Sequence, residues 1–366
     1  MKKKFLRLTL MGIALMFMGM SAQAQNYSYV KVTSAPSDWS GEYLIVYEGD
    51  STHDPYAFDG ALTSLDAAKN GVAVTITDGV IVGSDAINAA TFTISKIDDT
   101  NYRIQSASGY YIGVTSNSNG LKSSNEATDK DKYKHLISLD ASNNIDIKSN
   151  FDGSTMYLRY NYASDNLRFR YYKNQGQKAI ALYKKVVPMT ITTATWASFS
   201  SASEVAIPTG VTAYYAIANT ESSVTLKEIT DIIPANEGVV INGTAGTYYA
   251  ALSSTSTANI SGNLLKPWTT AGTPSDATYY TLAVSGTDPI FKKSAGGTLA
   301  AGKSYLVLSG SGARELGVDF GNETAINALE NSNKVNDGAI YDLSGRRVEN
   351  PTKGIYIMNG KKFVIK

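Results

Sequence analysis

Phe92-Thr93-Ile94-Ser95-Lys96-Ile97, Asn101-Tyr102-Arg103-Ile104-Gln105-Ser106 and Tyr110-Tyr111-Ile112-Gly113-Val114 follow one another with only polar turns between them. Each piece alternates apolar with polar residues, the period of a strand that buries one face. Comparable pieces lie on both sides: Gly41-Glu42-Tyr43-Leu44-Ile45-Val46-Tyr47, Val72 to Ile76, Ile137-Ser138-Leu139, Ile145-Asp146-Ile147 and Tyr157-Leu158-Arg159-Tyr160. The chain holds 24 Tyr and 31 Gly, and Asn-Gly, Asp-Gly and Ser-Gly pairs supply turn chemistry. No convincing amphipathic helix interrupts them; Ala325 to Leu329 is the nearest candidate and reads as a linker turn. An all-β protein is expected.

The order strand, turn, Tyr-Arg-Ile strand, Ser-Gly-Tyr-Tyr-Ile-Gly over residues 92–113 resembles one unit of a β-trefoil. Residues 136–160 echo it about 45 positions later, and residues 41–60 echo it more weakly about 50 positions earlier. Three such units would close a small barrel and remove its sheet edges. A β-trefoil-like domain is therefore expected over residues 26–186, with a plain β-sandwich or another small barrel as the alternatives.

Residues 188–321 carry a clearer duplication. Ala213-Tyr214-Tyr215-Ala216-Ile217-Ala218 returns as Thr278-Tyr279-Tyr280-Thr281-Leu282-Ala283, and the run from Ile233 to Ile241 returns as the run from Leu299 to Leu308. A duplicated antiparallel unit produces this order. An antiparallel β-sandwich is expected, with the runs ending at Ile241 and Leu308 as central strands because both of their alternations are apolar. The pattern resembles accessory β domains that precede the C-terminal tail in exported proteins of Gram-negative bacteria. Residues 322–338 are polar and read as a linker.

The two ends speak to destination. Lys2, Lys3, Lys4 and Arg7 head an apolar run over residues 8–20, and Ala22-Gln23-Ala24 is the small-x-small pattern of a signal peptidase site, so residues 1–24 read as a signal peptide cleaved after Ala24. The run is shorter than the roughly 20 residues that span a bilayer, and no later segment approaches that length, so no transmembrane segment is expected after processing. At the other end, Ala339-Ile340-Tyr341-Asp342-Leu343-Ser344-Gly345-Arg346 is followed by Gly354-Ile355-Tyr356-Ile357-Met358, Asn359-Gly360 and Lys361-Lys362-Phe363-Val364-Ile365, a β-hairpin signal. Residues 339–366 resemble the C-terminal sorting domain of type IX secretion cargo, through Asp342, Gly345 and Arg346 of the turn and Gly354 and Tyr356 of the strand. The resemblance implies a partner in the secretion machinery and a place outside a Gram-negative cell or on its outer surface. A reduced tail that only completes a fold is the alternative.

Charge and composition remove several function classes. Cleavage after Ala24 takes four of the 33 basic residues and none of the 32 acidic ones, leaving 29 against 32. A nucleic acid therefore has no overall electrostatic reason to bind. The absence of cysteine excludes disulfides, a lipid-modified N-terminal cysteine, thiol catalysis and thiolate zinc sites. Only two histidines exist, His53 and His135, and both read as surface turn residues. Gly302-Lys303-Ser304 shares the end of a phosphate-cradling loop but leads into a strand, so it reads as a turn. Asp50, Asp54 and Asp59, or Asp129 and Asp131, are the carboxylates that could pair for hydrolysis; solvated loop charges are the plainer account. No cofactor, metal site or catalytic residue is expected.

Aromatic density is the most suggestive feature. Tyr157 to Tyr162 and Leu167-Arg168-Phe169-Arg170-Tyr171-Tyr172-Lys173 interleave rings with basic residues. On a strand, Leu167, Phe169 and Tyr171 face one side and Arg168, Arg170 and Tyr172 the other. Guanidinium donors beside a ring suit stacking a sugar or holding an acidic saccharide. Arg159, Tyr160, Tyr162, Arg168, Arg170 and Tyr172 are the candidate ligand residues, with Trp39, Tyr110 and Tyr111 behind them. The expected function is a secreted or cell-surface, non-enzymatic binding protein with a glycan as partner. The alternatives are a structural or adhesin-like surface protein and a secreted carboxylate-dependent hydrolase.

Overall fold

The computed structural model of the chain describes residues 27–126, 132–163, 166–174, 176–253, 260–276, 278–294, 296–308, 312–321, 340–342, 345–358 and 361–365. The leader with Ala24, the 322–338 linker, Asp129, Asp131 and the Asn359-Gly360 turn lie outside the described residues. The regular elements of the described residues are strands but for one five-residue helix, and the fold class is all-β.

The N-terminal part opens with β1 (Ser28–Lys31). A first set follows: β2 (Gly41–Tyr47), β3 (Tyr56–Phe58), β4 (Gly71–Ala73), then β5 (Val80–Val82) and helix α1 (Asp85–Ala89) as an insertion, then β6 (Phe92–Lys96). The second set is β7 (Tyr102–Ser106), β8 (Tyr111–Gly113), β9 (Lys122–Ser124) and β10 (Leu136–Leu139). The third is β11 (Ile145–Phe151), β12 (Ser154–Asn161), β13 (Arg168–Tyr172) and β14 (Ala181–Ile191). Within each set the first strand pairs with the second and the second with the third. The outer strands form a ring: β2 to β6, β6 to β7, β7 to β10 through Tyr102 and His135, β10 to β11, β11 to β14 through Ile145 and Ile180, and β14 back to β2. Six barrel strands and three hairpins in a threefold pattern are the topology of a β-trefoil.

This ring explains the uneven echo in the sequence. Residues 92–113 are the last barrel strand of one set with the first two strands of the next, and residues 136–160 are their counterparts. Residues 41–60 hold only the first two strands of their set. The barrel strand that precedes them around the ring is β14, at the far end of the domain.

Phe58, Phe92 and Phe169 fill the barrel and are fully buried, with ring centroids 4.8 Å (Phe58 to Phe92) and 5.1 Å (Phe58 to Phe169) apart. Each contributes roughly 1.5 to 3 kcal/mol by burial, and each ring pair about 0.5 to 1.5 kcal/mol more. Gly113, in the Ser-Gly-Tyr-Tyr-Ile-Gly motif, is fixed by close approach: a Cβ there would lie 2.0 Å from the carbonyl oxygen of Lys132. The backbone of Val114 donates to that same carbonyl at 3.0 Å.

β14 leaves the barrel without a break. Residues 181–184 pair with β2, 183–186 with β1, and 186–191 with a strand of the next region. Pro188 falls where pairing is on one side only, which suits a residue with no N–H to give. That region comprises β15 (Trp196–Ser200), β16 (Val205–Ala206), β17 (Val211–Asn219), β18 (Ser223–Ile229), β19 (Ile232–Ile233), β20 (Gly238–Gly243), β21 (Gly246–Ala251), β22 (Leu265–Trp268), β23 (Tyr280–Ser285), β24 (Asp288–Lys293), β25 (Lys303–Leu306) and β26 (Glu315–Asp319). β21 is the partner of β14, and β16 pairs with β19.

The remaining nine strands form one sheet in the order β15-β20-β17-β18-β26-β24-β23-β25-β22. Read inward from either end, β15-β20-β17-β18 matches β22-β25-β23-β24, so the sheet carries the duplication seen in the sequence. Its halves face each other across Ala216, Val224, Leu226 and Val240 from one side and Tyr280, Phe291, Leu306 and Leu316 from the other. The arrangement is sandwich-like, but its ends meet. Ser200 N donates to the Gly302 carbonyl at 2.9 Å, and Ser200 Oγ to the Lys303 carbonyl at 2.6 Å, so the sheet is a nearly closed barrel. β20 is buried on both faces: Val239 and Ile241 point to a second core with Met189 and Ile191 of β14, and Val240 points inward.

The tail is a three-stranded sheet of β27 (Ile340–Tyr341), β28 (Gly354–Met358) and β29 (Lys361–Ile365), one strand more than a hairpin. Asp342 Oδ1 accepts from Arg346 N at 3.0 Å, and Arg346 Nε donates to Asp342 Oδ2 at 3.1 Å, with Gly345 at φ +80° between them. The Asp-x-x-Gly-Arg motif is thus a self-capped turn that needs a left-handed residue at its fourth position. Tyr356 is buried, and its hydroxyl accepts from Thr352 N at 3.1 Å. No helix among the described residues is long and apolar enough to cross a membrane.

Candidate functional site

β13 shows the expected alternation, since Phe169 and Tyr171 are fully buried while Arg168 and Arg170 lie partly open on the other face. Those guanidinium groups are already engaged. Arg170 makes a two-pronged contact with Asp66, Nε to Oδ1 at 2.8 Å and Nη2 to Oδ2 at 2.8 Å. Arg168 donates from Nη1 to the Asp66 carbonyl at 3.3 Å and from Nη2 to Asn166 Oδ1 at 3.4 Å. Asp66 is held in place by Asn70, a fully buried residue whose Nδ2 donates to the carbonyls of Leu65 (2.7 Å) and Phe169 (2.9 Å) while its Oδ1 accepts from Phe169 N (2.8 Å). The loop carrying Asp66 is stitched to β13 by that amide, by the two arginines and by Lys69 N, which donates to the Leu167 carbonyl at 2.6 Å.

The other candidates separate by depth. Tyr172 is buried, and burial pushes its phenol up against the opposing pull of Arg168 and Arg170. Arg159 is buried and pairs with Asp146, its plane 5.3 Å from the Tyr157 ring centroid. Tyr160 lies in the core, stacked on Tyr47 at 4.6 Å. Trp39 is also in the core, and Tyr110 packs against it. Tyr162 alone of the six presents a substantial surface, 38% exposed.

Tyr162 does not stand by itself. Lys178 Nζ sits 4.5 Å from its ring centroid, and the His53 ring meets it edge-on at 4.7 Å. Both reach one carboxylate. Asp50 Oδ2 accepts from Lys178 Nζ at 2.8 Å and from the Tyr47 hydroxyl at 3.0 Å. Its Oδ1 accepts from His53 Nδ1 and the Thr52 hydroxyl at 2.8 Å each and from Thr52 N at 2.9 Å. The Lys178 contact, then the His53 contact, hold the Asp50 carboxyl far below the usual carboxylate range, and Asp50 in turn raises Lys178. The ammonium, the imidazole and the carboxylate are each about a third exposed or slightly less. The surface therefore presents a fixed negative charge, a fixed positive charge and an open ring. Such a set can offer stacking and charged hydrogen bonds. The Asp50 carboxylate, ionised and with five donors, is a poor base.

Three segments assemble this cluster: the turn after β2 gives Asp50 and His53, the end of β12 gives Tyr162, and the loop before β14 gives Lys178, bridged to Tyr160. Asp50 and His53 were visible in the sequence as a polar turn. Lys178 and Asp66 carried no local signal, because their partners lie over a hundred residues away.

The second histidine corrects the reading of both as surface turn residues. His135 is fully buried. Its backbone pairs with Tyr102, its Nε2 accepts from the Tyr171 hydroxyl at 2.6 Å, and Nδ1 faces the Tyr102 carbonyl at 3.3 Å. These contacts fit the neutral ring with its proton on Nδ1, and burial lowers its pKa from 6.5 to about 4. It closes the barrel between β7 and β10. Of the loop carboxylates, Asp59 caps Ala61 N at 3.0 Å. Among the described residues no group of three His, Asp or Glu is placed to hold a metal ion.

No protein-family model matches the chain, and a search of curated proteins found no match.

Proposed function

We propose that this is an exported, non-enzymatic binding protein whose trefoil takes a saccharide at the surface formed by Tyr162, Lys178, His53 and Asp50. The observation that carries this reading is the exposed Tyr162 ring beside a carboxylate and an ammonium already locked in position. A pyranose offers C–H faces to a ring and hydroxyls to charged partners, and groups fixed in advance lose little entropy on binding. The site is centred on Tyr162 rather than Arg168 and Arg170, whose donors serve the fold. A glycan array probed with the purified protein tests it: retained sugars should be lost with Tyr162→Ala and kept with Arg170→Lys. An array without hits, or hits indifferent to Tyr162, overturns it.

Export rests on the leader pattern over residues 1–24 and on the tail. The tail's sheet leaves Tyr341, Ile355, Ile357 and Val364 exposed, and their register places all four on one face. Such an uncovered apolar face supports docking to secretion or surface-retention machinery outside a Gram-negative cell. Cell fractionation of full-length and Gly338-truncated chains checks this; identical distributions would remove the tail's role. The same tail favours a second reading, a structural or adhesin-like surface protein, which sedimentation showing assembly without sugar binding would support.

A further inference from the structure

The seam where the nine-stranded sheet meets itself contains a cavity of about 180 Å³, bounded by β14, β15, β20 and the turn into β25. Lys303 enters it. Ser304 and Leu306 point to the interior of the barrel, so Lys303 and Tyr305 leave β25 on the outer face, toward β15 and the departing end of β14. Among the described residues, no carboxylate meets the Lys303 ammonium, and desolvation alone displaces its pKa, downward. A partly buried cation without a counter-charge costs free energy that an anion would relieve.

The surroundings define what kind of anion. Pro188, Phe199 and Ile241 supply an apolar wall; Ser198 and Thr190 border the same cavity, Ser198 opposite the inward-pointing Val240 and the Thr190 hydroxyl 3.5 Å from that of Thr247. The floor is rigid, since Ser200 Oγ donates to the Lys303 carbonyl at 2.6 Å and accepts from Trp268 N at 3.1 Å. One ammonium and an apolar wall match a single carboxylate with a short hydrocarbon stem better than a phosphate, whose greater charge and three acceptor oxygens want more donors than this cavity offers. The space is well above what one water needs.

We infer that this seam cavity binds a small organic monocarboxylate, its carboxylate on Lys303 and its stem against Phe199 and Ile241. The site is separate from the Tyr162 surface and does not depend on it.

The test is an NMR titration of the purified, isotopically labelled protein with propionate, following the lysine side-chain signals, with Lys303→Arg for assignment and inorganic phosphate as the comparison. Propionate should shift the Lys303 signals saturably, leave other lysines in place, and bind about tenfold or more weakly to Lys303→Met. Unmoved Lys303 signals, or phosphate saturating the site at lower concentration than propionate, overturn the assignment. Should Lys303→Met fail to fold, the titration of the unmodified protein decides alone.

Discussion

Acidification to values still above the carboxylate range should weaken the trefoil, and His135 is the reason. Its folded pKa of about 4 lies below the 6.5 of an unconstrained imidazole. Between these values the unfolded chain binds a proton that the folded chain excludes. Stability is therefore full above about 6.5, falls as the pH drops through that window, and levels toward 4. At 1.36 kcal/mol per tenfold change in proton affinity the loss is about 3 kcal/mol, a large share of the 5 to 15 kcal/mol typical of a domain. The lowered carboxyl groups Asp50, Asp98 and Asp140 act in the same direction, but at lower pH. Their stability is present above the ordinary 3.8 and is lost below it. The assay is urea unfolding at a series of pH values, for the parent and for His135→Gln, which keeps an acceptor for Tyr171 but does not titrate. The parent should lose stability between pH 6.5 and 4, and the variant should start lower but run flat there. Equal slopes in both proteins, or a flat parent, would refute the buried, neutral histidine.

Asp66→Ala leaves the Arg170 fork without its carboxylate on a partly buried strand, and chemical denaturation should show a loss of about 1 to 3 kcal/mol. Gly113→Ala forces a Cβ against the Lys132 carbonyl and should cost about 2 kcal/mol or more, seen as a lower thermal midpoint. Tyr162→Ala should change stability by no more than about 0.5 kcal/mol while removing saccharide retention on an affinity column. Asp50→Asn should bring the raised Lys178 pKa back toward its ordinary value, read from its side-chain NMR signal against pH.

Much of the architecture was legible because it rests on local pattern. The alternation at residues 92–113, its echo at 136–160 and the doubled Tyr-Tyr motifs each correspond to strands in equivalent places. The faces of β13 also followed from alternation alone, with Phe169 and Tyr171 inward. What escaped notice depended on distant pairing. The weak first echo reflects a ring closed by β14 and an insertion of β5 and α1. Arg168 and Arg170 looked free because Asp66 is remote in sequence. His135 looked like a turn residue because its partners, Tyr102 and Tyr171, lie on other strands. Tyr162 drew attention as an aromatic residue, but only the fold brings Asp50 and Lys178 beside it.

The Tyr162 surface is tested most directly by an amide NMR map of the protein titrated with the best-retained array saccharide. Saturable shifts confined to the turn at Asp50 to His53, to Asn161 and Tyr162, and to Lys178 are expected if the saccharide binds there. Shifts centred elsewhere, or none at any sugar concentration, would contradict it.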